Sequence, residues 1–506
     1  MSTQPESPLK RDTIQMTVTE LESQFESLRQ RSGLVLGPLV FFSLWFLPMS
    51  RLSPEAHRLA AILGLVVVLW ITEALPLAVT GLLGPTLVIA LGVAPAAQAF
   101  GPFADPIMFL FLGAFILSRS IYLHGLDRRF AYWVLTNPLV GERPSRILFA
   151  YGGICCVISM WISNTATAAM MFPIGVAIIR TLRDVKKDAV TDAYACAVML
   201  MCAFSASVGG LATPVGTPTN LIGLGFIERQ LGRRVPFFEW MAFAIPIVVV
   251  MYLALFFYLN WLCPPGVKNL PGIRQRFLSD RQQLGRLTPG ERNTLIAFGI
   301  TVVLWITPGI LALTIGDADP VAKIYSQRVP ESVAALIGAC LLFLLPTNWK
   351  QQEFTLSVKQ AFEIDWGVMA LYGGGITLGQ LAFSTKLAES IGASLTGVIP
   401  SGGAGLIAVS STVAVLVSEL TSNVSSANMV VPVVIALGGK AGFQAAIAAS
   451  MASSLGFMLP ISTPTNAIVY SSGYVPLRSM MKYGILLDVI GFIVIVLGTL
   501  LLVPAH

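Results

Sequence analysis

The sequence predicts an all-α polytopic membrane protein of about 11 transmembrane helices, on three observations. Of 506 residues, 55% are hydrophobic and 11% are charged, whereas a soluble domain carries about 25% charged residues. Apolar stretches recur along nearly the whole length, which argues against a soluble domain with a single anchor. The chain also repeats a set of polar motifs in the same order in its two halves. So little charge cannot cover a water-facing surface, and a bilayer is the solvent that tolerates the remainder.

Taken in order, the polar stretch Ser2 to Arg31 comes first. It does not read as a signal peptide, because the apolar segment near Leu34 starts late and lacks a small-residue cleavage site. Within it, Leu21 to Leu28 suits either a short amphipathic helix on the membrane or a disordered tail. Apolar spans follow at roughly 34–49, 57–75, 78–95, 105–121, 192–212, 237–262, 293–315, 331–346, 444–459 and 480–503. Two longer apolar regions, 145–180 and 404–438, are interrupted in the middle by Ser, Asn and Thr. The loop 263–292 holds Lys268, Arg274, Arg276, Arg281, Arg286 and Arg292 against Asp280 and Glu291. Lys and Arg mark cytoplasmic loops, so this loop and the N-terminal tail are expected in the cytoplasm, and the net charge of +6 is loop charge. No basic run is interleaved with aromatics, which speaks against nucleic acid.

Enzymatic chemistry finds no foothold. The sequence has no HExxH, GxSxG or Walker A motif, and its three histidines, His57, His124 and His506, form no cluster. The six cysteines show neither disulfide nor metal spacing and read as small buried apolar residues.

The repeat is the most informative pattern. Asp105 opens a segment that reaches Gly113 eight residues on, and Asp365 opens one that reaches Gly373 at the same spacing. Next come Ser159-x3-Ser163-Asn164-Thr165 and Ser418-x3-Ser422-Asn423-Val424, with Asp-to-Asn separations of 59 and 58. Each half then supplies Thr-Pro-Thr-Asn, at Thr217 to Asn220 and at Thr463 to Asn466. Three elements in one order, twice, indicate duplication. Duplicated halves with broken apolar segments are the mark of secondary transporters, and the breaks point to the binding site. A helix broken at membrane depth frees N–H and C=O groups that lipid cannot satisfy but that ions and substrate can.

The side chains suit the same chemistry. Ser159 and Ser163, and likewise Ser418 and Ser422, are four apart and would share a helix face. Neutral hydroxyl and amide oxygens suit a hard cation such as Na⁺. An Asn amide offers its oxygen to a cation and its N–H to a carboxylate. Neither motif contains Lys or Arg, so an anion held there leans on hydrogen bonds, helix dipoles and nearby cations. Asp105 and Asp365 read as helix-capping residues, whereas Glu419 reads either as a functional acid or as the partner of a distant Arg or Lys.

From about Leu34 to the C-terminus, these motifs resemble those of the divalent anion/sodium symporter family. The likeness rests on Ile162 to Ala168, Thr421 to Val424, Gly216 to Asn220 and Ser462 to Asn466. The resemblance implies scaffold and transport domains, two re-entrant helical hairpins in an inverted repeat, a homodimer and an elevator mechanism. It implies di- or tricarboxylate substrates such as succinate, malate, fumarate or citrate, with some members taking sulfate. Position by position, one Na⁺ would sit among Ser159, Ser163, Asn164 and Gly216, and a second among Ser418, Ser422, Asn423 and Ser462. Substrate would meet Asn164, Thr165 and Thr217 from one half, and Asn423, Val424 and Pro464 from the other. Val424 departs from a doubled Ser-Asn-Thr, and the following Ser425 and Ser426 point elsewhere on a helix.

The expected organisation is then a tail at 1–31, scaffold helices at 32–100, a first repeat half at 101–262, a cytoplasmic loop at 263–292, scaffold helices at 293–360 and a second half at 361–506. The expected location is the plasma (inner) membrane, multi-pass, with a cytoplasmic N-terminus and no organic cofactor. Three activities remain open: a Na⁺-coupled dicarboxylate symporter, a Na⁺-independent dicarboxylate exchanger, and a carrier or channel for sulfate or other inorganic anions.

Overall fold

The computed structural model describes residues 8–50, 52–185, 189–316, 318–395 and 403–504. Among them the chain is helical apart from one antiparallel strand pair, Pro346–Asn348 with Glu353–Phe354. Eight helices are long and apolar enough to cross a membrane, and the pair Pro320–Arg328 and Glu331–Leu344, bent by 56°, adds a ninth candidate. Their outer faces carry Val303, Leu313, Leu497 and Leu501, all exposed, as lipid-facing helices require. The protein is an all-α polytopic membrane protein. From Pro8 the polar tail is part of one 39-residue helix, Pro8–Phe46, that runs into the first apolar span, so Leu21 to Leu28 lie inside it. Residues 1–7 of that tail lie outside the described residues.

The two halves repeat one order of elements. The first runs Pro106–His124, Leu126–Leu135, a helical hairpin (Pro144–Ser159 with Asn164–Val185), a broken helix (Ala189–Gly210 then Pro218–Leu231) and Phe237–Leu262. The second runs Trp366–Ser384, Leu387–Leu395, a hairpin (Gly403–Leu420 with Asn423–Gly438), a broken helix (Gly442–Ala452 then Pro464–Tyr470) and Leu477–Leu502. Asp105 and Asp365 cap the opening helix of each half, accepting the amides of Ile107 at 2.8 Å and Val368 at 3.2 Å. Asp105 also pairs with Arg229, at 2.6 Å from Nε, and accepts the Tyr372 hydroxyl at 3.3 Å.

The halves interlock. Leu77–Ala90 lies on Trp366–Ser384, where a Cβ on Gly81 would fall 2.7 Å from the Ala370 carbonyl oxygen. Glu331–Leu344 lies on Pro106–His124, where a Cβ on Gly113 would fall 2.6 Å from the Ala335 carbonyl carbon. Each crossing is backbone on backbone, which only glycine permits at these two positions. The broken helices form the centre: Tyr194 to Pro214 and Gly442 to Leu459 are almost wholly buried. A helix buried all round must be apolar or have its polar groups satisfied internally. These two do both.

Two sequence expectations change here. The apolar stretch 444–459 is not one span, because its helix ends at Ala452 and the chain is unwound until Pro464. Ser453, Ser454, Gly456 and Pro460 end the helix despite the apolar composition. The paired serines do not share a helix face either. One helix ends at Ser159 and the next begins at Asn164, and Ser418 and Ser422 straddle the corresponding turn after Leu420. The i, i+4 rule needs an unbroken helix, and here the spacing spans a hairpin tip.

Candidate functional site

Each Ser-Asn motif is the tip of a hairpin, and each tip abuts a helix break. In the first half, Ser159 Oγ donates to Asn164 Oδ1 at 2.7 Å. In the second, Ser418 Oγ stands in the same relation to Asn423 Oδ1 at 2.8 Å, and lies 2.7 Å from the Ser453 carbonyl. Ser163 and Ser422 cap the helices that follow, accepting the amides of Ala166 at 3.2 Å and Ser425 at 3.1 Å. Their hydroxyls therefore serve the N-cap, while Ser159 and Ser418 orient the Asn side chains.

The breaks supply the other wall. A Cβ on Gly210 would lie 2.4 Å from Asn164 Oδ1, and a Cβ on Gly216 would lie 2.5 Å from the Gly210 carbonyl oxygen, so Asn164, Gly210 and Gly216 converge. A Cβ on Gly456 would lie 3.3 Å from Asn423 Oδ1 and from Ser462 Cβ, and 3.4 Å from Ser418 Oγ. The structure thus gathers Ser159, Asn164 and Gly216 in one cluster, and Ser418, Asn423 and Ser462 in another. Both are neutral oxygen sets that could hold a hard cation. Helix ends add to this: carbonyl ends at Ser159, Gly210, Leu420 and Ala452 suit cations, and amide ends at Asn164, Pro218, Asn423 and Pro464 suit an anion.

Asn220 and Asn466 hold the breaks open. Asn220 Nδ2 donates to the carbonyls of Gly210 at 3.0 Å and Thr213 at 2.8 Å, and Asn466 Nδ2 donates to Gly456 at 2.9 Å and Leu459 at 3.0 Å. These bonds satisfy carbonyls that the missing helical turns leave free. The two breaks also cross each other. Thr219 Oγ1 lies 2.6 Å from Ser454 Oγ, and Ser207 Oγ lies 3.4 Å from Thr465 Oγ1, contacts that bring the two half-sites to one centre.

The remaining predicted residues differ in setting. Thr165 and Pro464 are exposed, Thr217 is buried as the N-cap of Pro218–Leu231, and Val424 is half-buried. Val424 packs on the apolar cluster containing Trp70, Val88 and Leu371. Ser425 and Ser426 do point away from it: Ser425 Oγ meets Ser422 Oγ at 2.9 Å, and Ser426 Oγ donates to the Ala414 carbonyl at 2.8 Å. Glu419 has no Arg or Lys partner among the described residues and instead accepts Met458 N and Ser462 Oγ. Sequence reasoning missed Gly210, Gly456 and the clamping role of Asn220 and Asn466. The signal was present, since each Asn follows its Gly by 10 residues.

Comparison with known proteins gives the family. Residues 29–502 match the family described as "Sodium:sulfate symporter transmembrane region". The chain is 29% identical over 494 residues to the "Sodium-dependent dicarboxylate transporter SdcS" of Staphylococcus saprophyticus, covering 96% of this chain and 93% of that protein. It is 31% identical over 492 residues to the protein of the same description from Staphylococcus aureus, covering 94% and 92%. Among solved structures, Neisseria gonorrhoeae MtrF, described as illuminating a class of antimetabolite efflux pumps, is similar in fold. It aligns with a TM-score of 0.51 and 15% identity over 82% of this chain and 84% of its own. The chain is a multi-pass membrane transporter and not an enzyme, and it belongs to the divalent anion/sodium symporter family.

Proposed function

We propose that the protein couples Na⁺ entry to uptake of dicarboxylates such as succinate, malate or fumarate, with citrate as a possible larger substrate, across the plasma (inner) membrane. The observation that carries this is the pair of matched half-sites, each with a Ser–Asn hydrogen bond at a hairpin tip facing a helix break. The naming of relatives at about 30% identity as sodium-dependent dicarboxylate transporters supports the same reading. One Na⁺ would be held by Ser159, Ser163, Asn164 and Gly216, with the Gly210 carbonyl added. The second would be held by Ser418, Ser422, Asn423 and Ser462, beside Gly456. Asn164, Thr165 and Thr217 would meet one end of the substrate, and Asn423, Val424 and Pro464 the other.

Coupling follows from charge. Neither hairpin tip carries Lys or Arg, so a dianion there needs the amide ends of helices and the positive charge of bound Na⁺. The hairpins and broken helices would form the transport domain, which would move as an elevator against a scaffold holding the homodimer contact, with the N-terminus cytoplasmic.

The test is radiolabelled succinate uptake into proteoliposomes, with and without an inward Na⁺ gradient and with and without internal succinate. Uptake driven by the gradient alone is expected. Uptake indifferent to Na⁺ but dependent on internal dicarboxylate would make the protein an exchanger, and uptake of labelled sulfate with none of succinate would make it an inorganic-anion carrier. Asn164→Ala and Asn423→Ala should each abolish uptake in protein that remains monodisperse; near-normal transport by either would overturn the site.

A further inference from the structure

Two carboxyl groups inside the membrane-spanning body have no counter-charge. Glu419, 5% exposed, lies at the end of Gly403–Leu420, and Asp488, 6% exposed, lies midway along Leu477–Leu502. Among the described residues no Lys or Arg pairs with either. Glu419 Oε1 accepts the Met458 amide at 2.9 Å, and Oε2 accepts the Ser462 hydroxyl at 2.7 Å. Asp488 is barer still: among the described residues neither of its carboxyl oxygens has a hydrogen-bond partner. The charged group facing it is Glu419. Tyr258 is also near, but its hydroxyl donates to the Tyr483 carbonyl at 3.1 Å and so does not serve Asp488.

The approach is built in. A Cβ on Gly484 would lie 2.3 Å from the Phe457 carbonyl oxygen and 2.7 Å from Met458 Cα, so the last helix rests directly on the segment whose amide Glu419 holds. Asp488 is one helical turn from Gly484 and shares its face. Two acceptor-only groups facing each other in a low dielectric repel, and each carries a desolvation cost, unless a positive species lies between them.

The surrounding atoms say which species fits. Ser462 Oγ lies 3.1 Å from the Glu419 carbonyl oxygen and 2.7 Å from Glu419 Oε2, and Asp488, whose two oxygens make no hydrogen bond among the described residues, neighbours the same acid. A shared proton would serve one oxygen of Asp488 and leave the other without a partner. A hard cation takes several oxygen ligands at once, and the two carboxyl groups, the Ser462 hydroxyl and the Glu419 carbonyl offer them. We infer that Glu419 and Asp488, with Ser462, hold one Na⁺ in addition to the ions of the two Ser-Asn half-sites. Through Ser462 this site is continuous with the second half-site, so it fills and empties with the hairpin tip.

The inference rests on the Na⁺-coupled reading above, and the experiment separates the two. Simultaneous ²²Na⁺ and labelled succinate uptake is measured in proteoliposomes for the wild type, Asp488→Asn and Glu419→Gln. The expected result is that the Na⁺-to-succinate ratio falls by one in each variant. A ratio unchanged in monodisperse Asp488→Asn overturns the inference, as does an unchanged ratio accompanied by a new pH dependence, which would identify a shared proton. If the variants fail to fold, ²²Na⁺ bound at equilibrium to the Asn164→Ala/Asn423→Ala double variant decides. One ion per chain supports the site, and none overturns it. A wild type without Na⁺-driven uptake would remove the symport reading, while the binding count would still judge the carboxyl pair.

Discussion

Glycine 210 and glycine 456 occupy matching places in the two halves but differ in clearance, and that difference predicts unequal mutants. A methyl group on Gly210 would sit 2.4 Å from Asn164 Oδ1 and 3.2 Å from both Cγ and Nδ2 of that side chain. Asn164 cannot swing aside freely, because Ser159 Oγ holds the same oxygen at 2.7 Å. Reaching ordinary contact requires a shift of nearly 1 Å, which breaks that hydrogen bond at a cost of about 1 kcal/mol. A misplacement of about 1 Å at a working site costs roughly 100-fold. On Gly456 the methyl would meet its nearest neighbours at 3.3 Å, which asks only a few tenths of an ångström. Gly210→Ala is therefore expected to raise the Na⁺ concentration for half-maximal uptake by about tenfold or more, and Gly456→Ala by no more than about threefold. The assay is a Na⁺ titration of initial uptake rates in proteoliposomes at saturating succinate. Similar titrations for Gly210→Ala and the wild type, or a larger defect in Gly456→Ala, would refute the geometry of the first half-site.

Three further outcomes follow from single side chains. Val424→Thr restores the hydroxyl that the first half keeps at Thr165; if Val424 meets substrate as proposed, it should change the succinate KM by about threefold or more while leaving the Na⁺ titration in place. An unchanged KM would remove Val424 from the substrate face. Asp105→Asn leaves Arg229 without its partner and weakens the Tyr372 contact. A broken buried pair costs about 3–5 kcal/mol, reduced here to about 2 because Arg229 is partly exposed, so thermal unfolding in detergent should move down by several degrees. Asp127 lies outside the long spans, is 3% exposed, and its Oδ2 has no partner; burial pushes its carboxyl up from 3.8 to about 6. The folded state thus keeps the proton longer than the unfolded state, and stability present below 3.8 is lost as pH rises to about 6. That loss amounts to about 3 kcal/mol, so Asp127→Asn should melt later than the wild type at pH 7.5 and equally at pH 4; equal melting at both would refute the assignment.

The parts of the site legible in the sequence were those whose chemistry is local. Ser159 with Asn164 and Ser418 with Asn423 lie within six residues of each other, and the duplication shows that neither pair is accidental. The residues that break the helices, Pro214, Gly216, Pro218, Pro460 and Pro464, stand in the sequence, yet the apolar composition of 444–459 still reads as one unbroken span. What escaped was either a backbone event in apolar sequence or a contact between distant segments. Met160, Trp161 and Ile162 give no hint that the helix stops at Ser159, because the turn is held by tertiary contacts such as Thr213 Oγ1 donating to the Met160 carbonyl at 2.5 Å. The crossing of the two breaks joins Thr219 to Ser454, 235 residues away, and no periodicity reports such a pair. Asp488 is a lone acid in the apolar last span, and its approach to Glu419 is a contact between segments about 70 residues apart that no local pattern reports.

The shared Asn residues supply a physical reason for ion and anion binding to be linked. In both halves the amide oxygen accepts a serine hydroxyl at the hairpin tip, while among the described residues the amide nitrogen makes no hydrogen bond. A cation at the oxygen polarises the amide and strengthens its N–H groups as donors to a carboxylate. The same carboxylate, once bound, raises the negative potential felt by the cation. Such coupling is reciprocal: if Na⁺ tightens succinate by a given factor, succinate must tighten Na⁺ by the same factor. The first half has Thr165 beside its Asn and the second has Val424, so the Ser–Asn pair proposed to hold the ions is duplicated while the neighbouring position is not. On the proposed symport, ion coupling would be a property of both halves, and substrate choice a property of their difference.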